Sequence, residues 1–423
     1  MPTSTANAHA IRAAITRLNH PDYTRWATQT RKIGGCRQPI HLRGKVERHD
    51  RATGALLHRY TTRTEPDGLL RVPCKTRRAS RCPSCAETYR ADTYHLIRAG
   101  LAGGKGVPET VTTHPTLFVT LTAPSFGPVH TRAGNRPCHP RLGEPLCPDC
   151  YDYTASVLFN ALAPLLWKRF TDALRWQLAK LGGLTLTELR RHLVLSFAKV
   201  AEYQRRGVVH FHAIIRLDGP TGPTTTPPAW ATADLLTNAV RHAATAVTAT
   251  AHGHTLRWGA QLDIRPITMN GELTEQAVAR YVAKYATKAA ECVGTLDRRI
   301  KPLEDLTVLP IRPHARRLIA ECLRLGALDD LTDLRLTAWA HMLGFRGHVS
   351  TRSRRYSTTL GHIRADRATH ARNNEITTGR LPLFEEDTVL VVAEWQYAGR
   401  GYSSGDALIA ASLTGKPRVG ARL

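Results

Sequence analysis

His210 and His212 bracket Phe211. On an extended chain, residues i and i+2 project from one face about 7 Å apart at the backbone, so two imidazoles can converge on one ion. Phe211, with Val209 and Ala213, would point into a core. Glu202 and Gln204 have matching parity across a short turn, and either could add an oxygen or amide ligand. Two imidazoles and an oxygen, with open positions left, suit Mg²⁺, Mn²⁺ or Zn²⁺ acting as a Lewis acid on a phosphoryl oxygen. Alone, the same pattern describes two surface histidines on a half-buried strand.

Tyr281, Lys284, Tyr285 and Lys288 fall at i, i+3, i+4 and i+7, which places two phenols and two ammonium groups on one helical face. A phenolate is a competent oxygen nucleophile, but its ordinary pKa of about 10 keeps it protonated near neutrality. Neighbouring lysines and a metal-bound phosphate would favour the anion. The plainer reading is a basic amphipathic helix with tyrosines packed along its border.

Cys82-Pro83-Ser84-Cys85 places two thiolates at the spacing of a zinc turn, and Cys74 and Cys36 could complete a four-cysteine site. Cys147-Pro148-Asp149-Cys150 repeats the pattern, with Cys138 nearby and His130 or His139 as a fourth ligand. Four protein ligands leave no open position, so such zinc is structural. Cys292 and Cys322 stand alone and read as packing thiols.

These groups need elements to hold them. Leu117 to Thr122 alternates and is β-branched, predicting a strand that Ala123-Pro124 stops. Leu193 to Tyr203 and Val208 to Leu217 predict a hairpin through Gln204-Arg205-Arg206-Gly207, and Ala260 to Pro266 a further strand. Helices are predicted over Ala86 to Leu101, Tyr153 to Leu181 with Pro164 inside it, Thr232 to Ala251, and Thr274 to Cys292 with Thr274 as N-cap. Trp167, Phe170, Leu174 and Leu178 would share one buried face. Three segments result: 1–115, a basic region of strand and turn with a cysteine zinc site; 116–295, the core with a zinc-knuckle insert at about 126–152; and 296–423, a basic, mainly helical region. In the last, Leu303 to Leu309 and Leu328 to Met342 read as helices, and Glu394 to Leu413 ends helical.

The 423 residues carry 59 Lys+Arg against 34 Asp+Glu, a formal charge of +25 and a pI near 10.2. Between Arg31 and Lys105 there are 17 Lys/Arg and 6 Asp/Glu. A polyanion is the expected partner, and nucleic acid fits best. No apolar run of about 18 residues and no signal pattern is visible, which argues against a membrane. Nine cysteines without a secretory signal point to a reducing, cytoplasmic setting, where clustered thiols bind metal. The stretch from His341 to Arg372 holds 7 Arg, 4 His and one acidic residue. Arg346, Arg352, Arg354 and Arg355 there, with Arg205 and Arg206 earlier, suit phosphate contacts, and Tyr356 could stack on a base.

In order, Phe118-Val119-Thr120-Leu121-Thr122, Val209-His210-Phe211-His212-Ala213 and Ala283-Lys284-Tyr285-Ala286-Thr287-Lys288 resemble the three motifs of HUH endonucleases. More closely, the chain resembles replication initiators of actinobacterial plasmids and integrative elements, over most of its length. Glu202-Tyr203-Gln204-Arg205-Arg206-Gly207 and the segment from Gly344-Phe345-Arg346-Gly347-His348 to Leu360-Gly361 extend the likeness. The resemblance implies an α+β fold: a ferredoxin-like antiparallel sheet carrying the histidines, packed with helices, one of which presents tyrosine. A zinc-stabilised N-terminal region and a mainly helical C-terminal DNA-binding region would flank it.

It further implies site-specific nicking of one DNA strand with a divalent metal, Mg²⁺ or Mn²⁺. A 5′-phosphotyrosine forms while a free 3′-hydroxyl primes synthesis. By the same resemblance Tyr285 is the primary nucleophile and Glu202, eight residues before His210, the third metal ligand, with Gln204 the alternative. Relatives often carry a glutamate four residues before the tyrosine; here Tyr281 stands there, as a second nucleophile or a packing residue. Origin DNA, duplex and single-stranded, is the implied partner. The chain has no Gly-rich Lys-Ser/Thr loop for ATP, so a host helicase and replication machinery would unwind the duplex.

Competing readings within the same chemistry are a conjugative relaxase or an HUH transposase, but relaxases usually place the nucleophile near the N-terminus, ahead of the histidines. A non-catalytic zinc-stabilised DNA-binding regulator is the alternative from another class, separated by metal-dependent nicking. A metal hydrolase at His210 and His212 lacks a clustered general base.

Overall fold

The computed structural model describes residues 3–131, 141–268, 274–301, 304–379 and 388–413. The chain forms two compact units, 1–90 with 364–423, and 91–363. It leaves and re-enters the first unit within two long helices.

The first unit opens with α1 (Thr3–Leu18) and α2 (Tyr23–Lys32), then β1 (Ile40–Asp50), β2 (Leu56–Thr61), β3 (Leu70–Val72) and the start of α3 (Pro83–Ala102). In the second unit follow β4 (Thr116–Leu121), α4 (Tyr153–Leu181), α5 (Leu186–His192), β5 (Val194–Tyr203), β6 (Val209–Asp218), α6 (Ala233–Ala246), β7 (Thr248–Ala251), β8 (His254–Arg257), β9 (Leu262–Pro266), α7 (Glu275–Ala286), α8 (Pro313–Leu325), β10 (Ser350–Arg352) and the start of α9 (Leu360–Thr377). The chain returns to the first unit with β11 (Val389–Arg400) and α10 (Ser404–Leu413).

The second unit is built on a five-stranded sheet in the order β10-β5-β6-β4-β9, antiparallel throughout. On β6, Val209, Phe211 and Ala213 are fully buried, as the alternation requires, and Trp167 of α4 meets the Phe211 ring at 6.0 Å. Leu158, Leu166, Phe170, Leu174 and Leu178 of α4, all 0% exposed, extend that core. Asp152 caps α4 by accepting the Ala155 amide at 2.8 Å. Pro164 removes the amide that would bond the Asn160 carbonyl. The Asn160 side chain accepts the Val209 amide at 2.9 Å and donates to the Gly207 and Leu343 carbonyls, so α4 fixes the start of the histidine strand.

In the first unit β11 pairs along the whole of β1, which also pairs β2 and β3. Trp26 of α2 is fully buried against Ile409 and Ala410 of α10.

Several sequence expectations change here. Thr3–Leu18 and Tyr23–Lys32 form helices rather than strand and turn. The helix from Thr232 stops at Ala246, because His252 (φ 46°) and Gly253 (φ 74°) turn the chain into a β7–β8 hairpin. The helix capped by Thr274 ends at Ala286, not Cys292. Residues 304–309 are irregular, with turn and bend from 306, Leu303 lies outside the described residues, and 328–342 hold two short 3₁₀ turns separated at Arg335 (φ 52°). The segment 296–423 does not follow one unit: β10 completes the sheet of the second, whereas β11 returns to β1. Pairing between residues hundreds apart sets these divisions, and no local periodicity encodes it.

Candidate metal centre and tyrosine face

Strand register builds the site. Glu202 pairs with His210, and Val200 and Thr120 flank His212, so Thr120, Glu202, His210 and His212 share one face of the sheet. Oε2 of Glu202 lies 3.3 Å from Nε2 of His210 and 3.0 Å from Nε2 of His212, and the two imidazole nitrogens are 2.7 Å apart. One ligand atom from each residue falls within 4.8 Å of the others, a set that could hold a metal ion. The Thr120 hydroxyl meets Nδ1 of His212 at 3.0 Å, leaving Nε2 to face the cluster. Phe118 lies parallel to the His212 ring at 5.7 Å.

Burial alone would raise the Glu202 carboxyl, but hydrogen bonds to His210 and His212 outweigh it and bring it down to about 2. Burial lowers His212 against the opposing pull of Glu202, which favours the neutral, ligating imidazole. Gln204 stands apart from this set: its carbonyl oxygen accepts Nε of Arg206 at 2.8 Å.

Helix α7 lays both tyrosines against the cluster. The Tyr281 hydroxyl is 3.2 Å from Nε2 of His212, and the Tyr281 and Tyr285 rings are 4.9 Å apart. Tyr285 stacks toward His212 at 6.0 Å. Lys284 and Lys288 place their ammonium groups 5.3 and 5.1 Å from the Tyr285 ring centroid, Lys288 from just beyond the helix end. The lysines lie over the ring rather than determining its ionisation: burial, then the Glu202 charge, pushes both phenols up rather than down. A cation among the carboxylate and imidazoles would reverse the Glu202 contribution.

The first unit brings Cys36, Cys74, Cys82 and Cys85 together, with all four sulfur atoms within 4.8 Å of one another. Backbone amides of Arg37 and Cys74 donate to the sulfurs of Cys82 and Cys36 at 3.3 Å, which favours thiolates. This donor set fits a zinc ion. Cys147 and Cys150 form a disulfide with each other; Cys138 and His139 lie outside the described residues.

The arginine assignments divide. Arg205, Arg346, Arg354 and Arg355 are exposed, though Arg346 donates to the Asp333 carbonyl and Arg355 to the Pro220 carbonyl. Arg352 is half-buried. Arg206 is spent internally, donating to the carbonyls of Pro124 at 2.6 Å and Ala123 at 2.9 Å. Tyr356 does not offer a stacking face: it is fully buried, with its hydroxyl on the Ile97 carbonyl. Sequence reasoning missed Thr120 as the partner of His212, although its parity in the Phe118 to Thr122 strand carried the signal.

A family model described as replication initiator protein, pSAM2, matches residues 22–141 and 135–415. A curated replication initiator protein from Streptomyces ambofaciens is 53% identical over 415 residues, spanning 93% of this chain and 90% of that protein. No solved structure matches the chain.

Proposed function

Because this chain belongs to the family of pSAM2 replication initiator proteins, we propose that it starts rolling-circle replication as an HUH-type endonuclease, nicking one strand of origin DNA through a tyrosine. The observation that carries this reading is the convergence of Glu202, His210 and His212 beside the paired phenols of Tyr281 and Tyr285.

Mg²⁺ or Mn²⁺ held by Glu202, His210 and His212 would supply Lewis-acid polarisation of the scissile phosphate. Thr120 and Phe118 hold His212 in its ligating orientation. Tyr285 Oη forms a bond to phosphorus as the P–O3′ bond breaks; the phenol proton leaves to solvent and the 3′-oxygen takes one up. The products are a 5′-phosphotyrosine and a free 3′-hydroxyl, with bond energy conserved for rejoining. Lys284 and Lys288 neutralise phosphate charge beside the ring. Tyr281 accepts a second strand in the closing transfer. Arg205, Arg346, Arg352, Arg354 and Arg355 contact the DNA backbone.

The four cysteines of the first unit hold structural zinc. A host helicase unwinds the duplex, and the setting is cytoplasmic. Among the described residues no helix is long and apolar enough to cross a membrane.

Incubating single-stranded origin DNA with the protein and Mn²⁺, then resolving the products on a denaturing gel, tests the reading. A covalent adduct mapped by mass spectrometry to Tyr285 supports it. An adduct undiminished in Tyr285→Phe overturns the assignment.

A further inference from the structure

Beside the Glu202-His210 pair the strands β4, β5 and β9 reach their ends. Thr122 follows β4, Gln204 follows β5 and Gln261 precedes β9, each one residue outside the paired strands. These three residues line a cleft of about 760 Å³ at the strand ends next to the Glu202-His210 pair.

The cleft is built rather than incidental. Arg206 clamps the β5–β6 turn onto the Pro124 and Ala123 carbonyls, and its guanidinium lies 5.8 Å from the Phe126 ring centroid. Gly143 closes the opposite wall: a Cβ there would meet the Arg205 backbone at 2.6 Å, so the insert and the turn touch. Gly259 approaches equally closely, its amide donating to the Thr122 carbonyl at 2.7 Å.

The lining mixes apolar groups of Pro124, Pro128, Val129 and Leu142 with the amides of Gln204 and Gln261 and the hydroxyl of Thr122; Arg206 is already occupied and Arg205 is exposed at the rim. Such groups suit the hydrogen-bonding edge of a base better than a phosphate, since carboxamides read donor and acceptor pairs. The Gln204 carbonyl is held by Arg206, which leaves its NH₂ to donate, and Gln261 is exposed.

We propose that this cleft reads the base of a single-stranded nucleotide adjoining the phosphate at His210 and His212, with Gln204 and Gln261 as the discriminating residues and Thr122 as a hydroxyl contact. The assignment deepens the nicking reading and rests on it for the location of the phosphate. It gives the insert a task that zinc binding does not supply: walling a specificity pocket.

The test separates recognition from cleavage. Full-length protein carrying Tyr285→Phe is equilibrated in EDTA with a random single-stranded DNA pool, and bound sequences are compared with those selected by the same protein bearing Gln261→Ala or Gln204→Ala. The parent should favour one base about tenfold at one or two adjacent positions, and each glutamine variant should flatten the preference there while other positions keep theirs. Unchanged preferences in both variants, or none in the parent, overturn the proposal. If discrimination is lost as expected but Mn²⁺ gives no adduct with the unmodified protein, base reading stands and the phosphotyrosine reading falls.

Discussion

The hydroxyl of Tyr281 sits 3.2 Å from Nε2 of His212, the same nitrogen that meets Glu202 at 3.0 Å. One phenol thus occupies the inner rim of the donor cluster while its helical neighbour Tyr285 stands one turn further along α7. The two tyrosines are therefore not equivalent. Tyr285→Phe is expected to reduce covalent adduct by about a hundredfold or more, the scale on which a nucleophile's removal is felt. Tyr281→Phe should keep the first cleavage and lose transfer of the nicked strand to a second oligonucleotide. A gel assay with differently labelled oligonucleotides reads both steps, and loss of the first adduct in Tyr281→Phe alone would exchange the two roles.

The cysteine cluster makes a prediction about stoichiometry. Cys36, Cys74, Cys82 and Cys85 converge, whereas Cys147 and Cys150 are bonded to each other. Elemental analysis should find about one zinc per chain, lost in Cys82→Ser and retained in Cys147→Ser. Two zincs per chain, one of them sensitive to Cys147, would contradict the division drawn here.

Which features could be read from the chain follows from how local their causes are. His210, His212 and Glu202 come together through the period of two and one hairpin, so spacing alone brought them near each other. Tyr281 and Tyr285 needed only helical periodicity. Cys82 and Cys85 form a local turn, and the chain supplied the two distant thiols. Arg206 and Tyr356 were misread because composition cannot tell a phosphate-binding arginine from one bonded to carbonyls, or a stacking tyrosine from one in a core. The split of 296–423 between two units depends on β10 finding β5 and β11 finding β1. Helix α2 was missed because its polar residues obscure the single buried face around Trp26.

Arg216 and Asp218 form a buried pair on the far end of β6. Both side chains are 0% exposed, joined at 2.6 and 2.9 Å, with His114 at 2.7 Å and Ser196 at 2.6 Å completing the carboxylate's partners. The Arg216 guanidinium also donates to the carbonyls of Gly100 and Tyr356, tying α3 and the post-β10 turn to the sheet. Asp218→Asn should cost roughly 3–5 kcal/mol, because a buried guanidinium loses its counter-charge. Burial opposes ionisation of Asp218, but His114 and Arg216 hold its carboxyl below the usual range. Its contribution is therefore present above the unfolded pKa of about 4 and lost as pH falls through the lower folded value. Urea melts at neutral and acidic pH check this, and a variant as stable as the parent at neutral pH would refute it.

Lys199 gives a slope of the same sign in a higher pH window. It lies on the helix-covered face of β5, 4% exposed, with its ammonium 3.8 Å from the Phe211 ring centroid and 5.5 Å from that of Trp167. Burial drops it from the usual 10.5 to about 7. Between those values the unfolded chain binds the extra proton, so stability rises with pH across that window. Below about pH 7 the penalty is complete, with a ceiling of about 4–5 kcal/mol at 1.36 kcal/mol per pKa unit. The two rings return part of that through cation–π attraction, which is lost with the charge. Lys199→Met fills similar volume without a charge to desolvate, and should stabilise the protein by about 1–3 kcal/mol near neutrality. The gain should shrink toward zero as pH approaches about 10.5. Denaturant melts of both proteins across that range measure it. A constant difference at every pH would mean that packing, not the proton, separates them.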